Sequence, residues 1–173
     1  MSFSNSEKKK ISIICPVFNE EKIISLYYER FQKAISCLQD RYLIELIFVN
    51  NCSEDNTLTT AKNLHSQDPS VQIISLTRNF GYQSSVLCGL TFATGDAIVV
   101  NDVDGEDPPE LIPKFVEQWE KGYEIIWIGT EKGIENKVVN SDSIITILHL
   151  SIDTLFKLKY LKSKSSILCQ DQI

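Results

Sequence analysis

Five short, nearly unbroken apolar runs punctuate this chain: Ile11 to Val17, Leu43 to Val49, Val71 to Leu76, Ala97 to Val100 and Tyr123 to Ile128. Between them lie longer segments whose apolar residues recur at helical spacing, the pattern of strands joined by crossover helices. A strand that is apolar on successive residues must be covered on both faces, whereas a half-solvated strand would alternate. The economical architecture is an open, mainly parallel α/β sheet with helices on either side. With 173 residues and 43% hydrophobic content, the chain can bury one core of ordinary size.

The intervening segments are read as follows. Pro16 and Asn19-Glu20-Glu21 open a helix with Ile24, Tyr27, Phe31 and Ile35 on its inner side, and the acidic pair suits its positive end. Asn50 to Asp55 forms a loop capping a helix that runs to about His65. Arg78-Asn79-Phe80-Gly81 leads into a helix with Val86, Leu90 and Ala93 on one side. Pro108 and Pro109 start another, with Leu111, Phe115 and Trp119 inside. Ligands of open α/β sheets bind outside the carboxyl ends of the strands. That rule gathers Pro16 to Glu20, Asn50 to Asp55, Arg78 to Gly81 and Asp102 to Asp107 on one rim.

A formal charge of −6 and a pI near 5.0 exclude a protein that holds nucleic acid through a basic face. Any phosphate ligand therefore needs local contacts or a metal. Five cysteines without a Cys-x-x-Cys pair fit reduced, mostly buried thiols in the cytoplasm. Lys8-Lys9-Lys10 precedes an apolar stretch too soon interrupted to be a signal peptide or membrane span. His65 and His149 are isolated and have no metal-ligand spacing.

Asp102 and Asp104 fall where the fourth strand meets solvent. Two carboxylates one residue apart offer hard oxygen ligands to Mg²⁺ or Mn²⁺, and such an ion can bridge the phosphates of a nucleotide. By itself Asp-x-Asp is more often a polar turn, here one ahead of a Pro-Pro helix start.

Taken together, Cys15 to Glu21, Val49 to Thr57, Arg78 to Gly81 and Asp102 to Glu110 resemble the family 2 glycosyltransferases, and most closely the dolichyl- and polyprenyl-phosphate sugar transferases. The likeness covers about residues 10 to 130. It implies the Rossmann-like GT-A fold, a UDP- or GDP-sugar donor, a divalent metal, and inversion at the anomeric carbon. The acceptor it implies is a lipid phosphate or a polysaccharide, as in cell-envelope synthesis. It assigns Pro16, Phe18, Glu20, Val49 and Asn51 to the nucleotide, with Asp102, Val103 and Asp104 at the diphosphate. Asp102 and Asp104 are its metal ligands, and Glu106, where a Gln is usual, joins them as a catalytic candidate.

Several positions depart from the family pattern. Asn51 replaces an aspartate, keeping a carbonyl acceptor for a base N–H but losing the charge. Cys52 replaces a glycine, so a turn needing positive φ would be strained there. Arginines that usually hold phosphate beyond the fifth strand are absent, leaving Lys132 and Lys137 as point charges. Arg78 is expected to be structural, donating to nearby carbonyls. Glu106 and Asp107 could serve as a base, yet solvated turn acids or a helix cap explain them as well.

The expected organisation is a flexible N-terminus over 1–9, a nucleotide-sugar-binding domain over 10–140, and a divergent C-terminal helix and tail over 141–173. In the last, Ile145, Leu148, Ile152 and Leu155 keep helical spacing; Lys157, Lys159, Lys162 and Lys164 could meet anionic lipid at the inner face of the membrane, but a solvated, frayed C-terminus is the better reading of them. Two alternatives stand beside an active transferase. One is a catalytically silent nucleotide-sugar-binding fragment lacking the acceptor half. The other is a nucleotidyltransferase, which should carry a Gly-rich phosphate loop after the first strand, where Cys15 to Glu21 has no glycine.

Overall fold

The computed structural model describes residues 8–105 and 108–122. Four parallel strands, β1 (Lys10–Val17), β2 (Leu43–Asn50), β3 (Val71–Ser75) and β4 (Ala97–Val100), form a sheet in the order β3-β2-β1-β4. The helices are α1 (Ile24–Ile35), α2 (Thr57–Gln67), α3 (Tyr82–Phe92) and α4 (Ile112–Glu120), the last preceded by a 3-10 turn over Pro109–Leu111. Each apolar run within the described residues is a strand, to within a residue at either end. The expected fifth strand, Tyr123 to Ile128, lies outside the described residues, as does the segment 141–173.

Residue parity along the strands divides the core in two. Ile11, Ile13, Cys15, Val17, Leu46 and Phe48 face one way, under Ile24, Tyr27, Phe31 and Ile35 of α1, Ala61 and Leu64 of α2, and Ile112, Phe115 and Val116 of α4. Ile14, Ile47, Val49 and Val100 face the other way, under Val86 of α3. Burying a residue such as Phe31 or Phe48 contributes about 1.5–3 kcal/mol. All four inward positions expected for α1 are buried. In α4 Ile112 and Val116 lie deeper than the expected Leu111 and Trp119, which pack partly buried against the same core.

Gly89 explains how α3 comes so close. A Cβ there would collide with Ile14 Cγ2 and meet Val49 Cγ2 at 3.2 Å, so only glycine lets this helix lie directly on β1 and β2. The chain runs outward through β1, β2 and β3, then returns to place β4 on the other side of β1. That reversal opens a crevice beyond the carboxyl ends of β1 and β4. Among the described residues no helix is long and apolar enough to cross a membrane.

Candidate functional site

An open cleft of about 270 Å³ occupies this rim. The carboxyl ends of all four strands reach it: Pro16 at the end of β1 with Phe18 and Glu20 beyond it, Asn51 after β2, Asn79 and Gly81 after β3, and Asp102 and Asp104 after β4. The rim convergence expected from the sequence is thus realised in space.

The first two loops are laced together through side chains. Asn19 takes a left-handed turn (φ 59°), which asparagine tolerates, and its Oδ1 accepts the Glu54 N–H at 2.8 Å. The Glu20 N–H donates to Thr57 Oγ1 at 2.7 Å, and the Glu21 N–H to Asp55 Oδ2 at 3.1 Å. Asp55 also accepts from the Thr57 N–H at 2.9 Å, capping the start of α2. Partial burial opposes ionisation of Asp55, but these bonds outweigh it and hold the carboxyl below its ordinary range. The acidic pair does not sit in the first turn of α1 as expected: the Glu20 carbonyl receives Ile24 N–H at 3.0 Å, and Glu21 Oε2 instead accepts from Asn56.

Cys52 is the second left-handed residue, at φ 59°. The strain anticipated from the missing glycine is therefore present, and a residue with a Cβ costs roughly 1–2 kcal/mol in this region. Cys52→Gly is expected to raise stability by about 0.5–1 kcal/mol, less than the strain because glycine also frees the unfolded chain. Urea unfolding of the two proteins measures the difference; a less stable glycine variant would show that the thiol contact to the Thr77 carbonyl matters more.

On the other side of the crevice, the first residue after β4 is Asn101, which is buried, and its backbone N–H continues the ladder to the Ile14 carbonyl at 3.0 Å. Its Oδ1 accepts from the Tyr27 hydroxyl at 2.6 Å, and that hydroxyl accepts from the Cys15 thiol at 3.1 Å. This buried chain of bonds underlies the residue next to Asp102. Burial pushes the Cys15 thiol far up, with Asp102 adding to the effect and the Tyr27 bond opposing it, so Cys15 is an inert core thiol. Val103 is buried and anchors the loop between Asp102 and the exposed Asp104. The Tyr82 hydroxyl, at the start of α3, donates to Asp102 Oδ1 at 2.9 Å.

Electrostatically the β1 and β4 loops face each other as like charges. Burial raises the Glu20 carboxyl above its ordinary range, and the charges of Asp104 and then Asp55 raise it further. An acidic pocket of this kind favours a cation. Among the described residues no three His, Cys, Asp or Glu side chains converge into a metal cage. Mg²⁺ and Mn²⁺ do not require one, since they are commonly held by one or two carboxylates with substrate phosphates and water completing the shell. Asp102 and Asp104 fit that mode.

Some expected positions fall elsewhere. Val49 is fully buried beneath α3 among Ile14, Ile47 and Val86, so its side chain has no path to the cleft. The reason is parity: in β2 the odd positions point into the α3 face. Arg78, expected to bond carbonyls, is exposed with its guanidinium 4.5 Å from the centre of the Phe80 ring, a cation–π contact. Of the four described cysteines, all free thiols, only Cys15 is buried, and Cys37 is exposed. Glu106, Asp107, Lys132, Lys137 and Lys157 to Lys164 lie outside the described residues.

Asn79 and Tyr82 line the cleft without having been singled out as site residues. Both sit in or beside the Arg78 to Gly81 stretch, which the rim rule had already placed there.

Fold and rim together define a GT-A domain, the α/β architecture of nucleotide-sugar transferases. The family model described as "Glycosyl transferase family 2" matches residues 12–170, and the chain belongs to that family. Its relatives include an uncharacterized glycosyltransferase, YkcC, of Bacillus subtilis, 41% identical over 116 residues covering 67% of this chain and 35% of the relative. A prophage bactoprenol glucosyl transferase homolog of Escherichia coli is 40% identical over 117 residues, covering 68% of this chain and 38% of the relative. The undecaprenyl-phosphate 4-deoxy-4-formamido-L-arabinose transferase of Yersinia enterocolitica is 39% identical over 129 residues, covering 71% and 38%. The chain therefore spans little more than a third of the length of these relatives. The fold is shared with the Pyrobaculum calidifontis mannosyltransferase PcManGT, solved with GDP-Man and Mn²⁺ (TM-score 0.59, 18% identity, 72% of this chain and 37% of that one).

Proposed function

We propose that this chain is the donor-binding part of a transferase that moves a sugar from a UDP- or GDP-sugar to a lipid-phosphate acceptor, with metal dependence and inversion. The observation that carries the reading is the acidic crevice at the β1/β4 switch point, where Asp102 and Asp104 face Glu20 across the cleft. Relatives named for bactoprenol and undecaprenyl phosphate support the lipid acceptor over a polysaccharide. Such an acceptor is embedded in a membrane, which favours work at a membrane surface.

Asp102 and Asp104 are the residues that would hold Mg²⁺ or Mn²⁺. Bound there, the ion supplies positive charge to a leaving diphosphate whose negative charge grows as the sugar becomes oxocarbenium-like. The protein's own part is positional. Tyr82 fixes the Asp102 carboxylate, the buried Val103 fixes the backbone between the two acids, and Thr57 fixes Glu20. Pro16 and Phe18 offer an apolar wall to the nucleoside, Phe18 being 40% exposed. A phosphate acceptor is already anionic near neutral pH, so the step needs no general base. Displacement from the face opposite the diphosphate inverts the anomeric carbon.

Calorimetry with UDP-glucose and with GDP-mannose, each with and without Mn²⁺, tests the reading. One donor class is expected to bind, at least tenfold more tightly with the ion. A chain that binds neither would sink the proposal. Adding polyprenyl phosphate to the bound donor then separates a transferase, which releases nucleoside diphosphate, from a unit that only binds.

A further inference from the structure

We propose that Asn79 is a specificity-determining residue that reads a carbonyl oxygen of the donor's nucleobase through an amide whose orientation the protein has fixed. The inference rests on the donor-binding reading above. Its starting point is the Gly81 N–H, which can only donate, and which bonds Asn79 Oδ1 at 2.9 Å. That oxygen also accepts from Asn51 Nδ2 at 2.9 Å. Asn51 is fixed in turn, because its own Oδ1 accepts the Phe80 N–H at 2.9 Å, and its side chain is almost wholly buried. Two backbone donors thus set both amides.

The consequence is chemical. Both lone pairs of Asn79 Oδ1 are taken by protein donors, so its NH₂ group must point the other way. Asn79 is exposed and lines the cleft, and among the described residues its nitrogen donates to nothing. Rotating the amide by half a turn would set NH₂ against Gly81 N–H and Asn51 NH₂, losing two hydrogen bonds and opposing donors to donors. Asn79 therefore offers donors only. Asn51 meanwhile gives one N–H and one lone pair to the loop and is almost wholly buried, so the base-reading task expected of it falls to its exposed partner.

Position along the rim identifies what is read. Loops follow the strand order β3-β2-β1-β4, with the carboxylates at the β4 end and Asn79 after β3 at the other. A nucleotide with its diphosphate at Asp102 and Asp104 extends its base past Pro16 and Phe18 toward Asn51 and Asn79. An NH₂ donor pairs with the exocyclic carbonyl of uracil or guanine, and opposes the amino group that cytosine or adenine carries in its place.

The test compares UDP with CDP, each titrated calorimetrically with Mn²⁺ into the full chain and into Asn79→Asp. Wild type should favour UDP by about tenfold or more, since a mismatched polar pair in a closed contact costs at least that. In Asn79→Asp one oxygen still accepts from Gly81 and Asn51 while the other replaces the NH₂. The UDP preference should vanish or reverse, and protection of the Gly81 amide from hydrogen exchange should match that of wild type. The added charge weakens both nucleotides alike, so the ratio isolates the contact. An unchanged ratio in the variant, or no preference in wild type, overturns the role of Asn79 and leaves donor binding standing. If wild type binds neither, GDP and ADP take their place in the same comparison, where the guanine carbonyl and the adenine amino group make the same contrast; binding of none of the four brings the donor reading down as well.

Discussion

Asp104→Ala is expected to reduce Mn²⁺-dependent donor binding by about 100-fold, equivalent to roughly 2.7 kcal/mol, while the fold survives. The argument is one of charge balance. Asp104 is exposed on a loop whose backbone is held by the buried Val103 on one side and, after Gly105 at φ +93°, resumes in the packed 3-10 turn. Deleting a solvated carboxylate removes no core contact, so stability should stay within about 0.5 kcal/mol. The same deletion removes one of the two carboxylates proposed to hold the cation and one of the charges that raise Glu20. Two readouts follow. Titration with and without Mn²⁺ should show the metal dependence nearly abolished, and NMR titration of Glu20 should show its carboxyl shifting down toward the ordinary range even with no ligand added. Metal dependence equal to wild type would remove Asp104 from the site, and an unmoved Glu20 would mean the two acids do not interact.

Much of this arrangement is legible in the sequence because it follows from local pattern. Ile24, Tyr27, Phe31 and Ile35 share a face by helical period, and four of the strands announce themselves as runs of branched residues. The rim follows from parallel topology alone, since every loop leaving a strand's carboxyl end must emerge on the same edge. The Cys52 strain was readable only through the family resemblance, whose pattern has a glycine where this chain carries a residue with a Cβ. The roles of Asp102, Asp104 and the nucleotide-facing residues stand as proposals resting on that placement.

What the sequence hid are pairings that depend on two loops meeting. Nothing local in Asn51 or in Asn79 says that 28 residues of separation close to a 2.9 Å bond, or that a backbone N–H will settle which way each amide points. Val49 was misplaced for a related reason: the motif around it is continuous in sequence, but side chains in a strand alternate between faces, so Val49 points to the core while Asn51, two residues on and past the strand end, is free to turn into the rim. Arg78 lacked any signal that its partner would be the aromatic ring two residues along.

Glu45 is the clearest such case, and its replacement should have the largest effect on folding. Glu45 is the one acid in the apolar run Leu43 to Val49, and nothing in that run says what it meets; the β1/β2 register sets it beside Ser12, and both are buried. Glu45 Oε1 accepts from Ser12 Oγ at 2.5 Å and from the Thr94 N–H at 3.0 Å, Lys10 forms an ion pair with Oε2, and Ser12 Oγ in turn accepts the Gly95 N–H at 2.8 Å. One carboxylate thus ties β1 and β2 to the turn that leads from α3 into β4, at the edge of the sheet opposite the cleft. Glu45→Ala leaves buried donors unanswered and should destabilise by about 2–4 kcal/mol in urea unfolding. Acid should act through the same group. Burial alone would raise this carboxyl, but Lys10, Ser12 and the Thr94 N–H outweigh it and lower it. The folded chain therefore holds the ionised form more tightly than the unfolded chain does. Its contribution is complete above the unfolded value near pH ~4.3 and is lost as pH falls through the lower folded value. Glu45→Gln keeps an acceptor for the Thr94 N–H but cannot titrate, so its stability should fall less steeply than wild type over that acid range. Parallel acid limbs for the two proteins would show that some other group governs acid unfolding, and a stable Glu45→Ala would show that the cluster is merely tolerated.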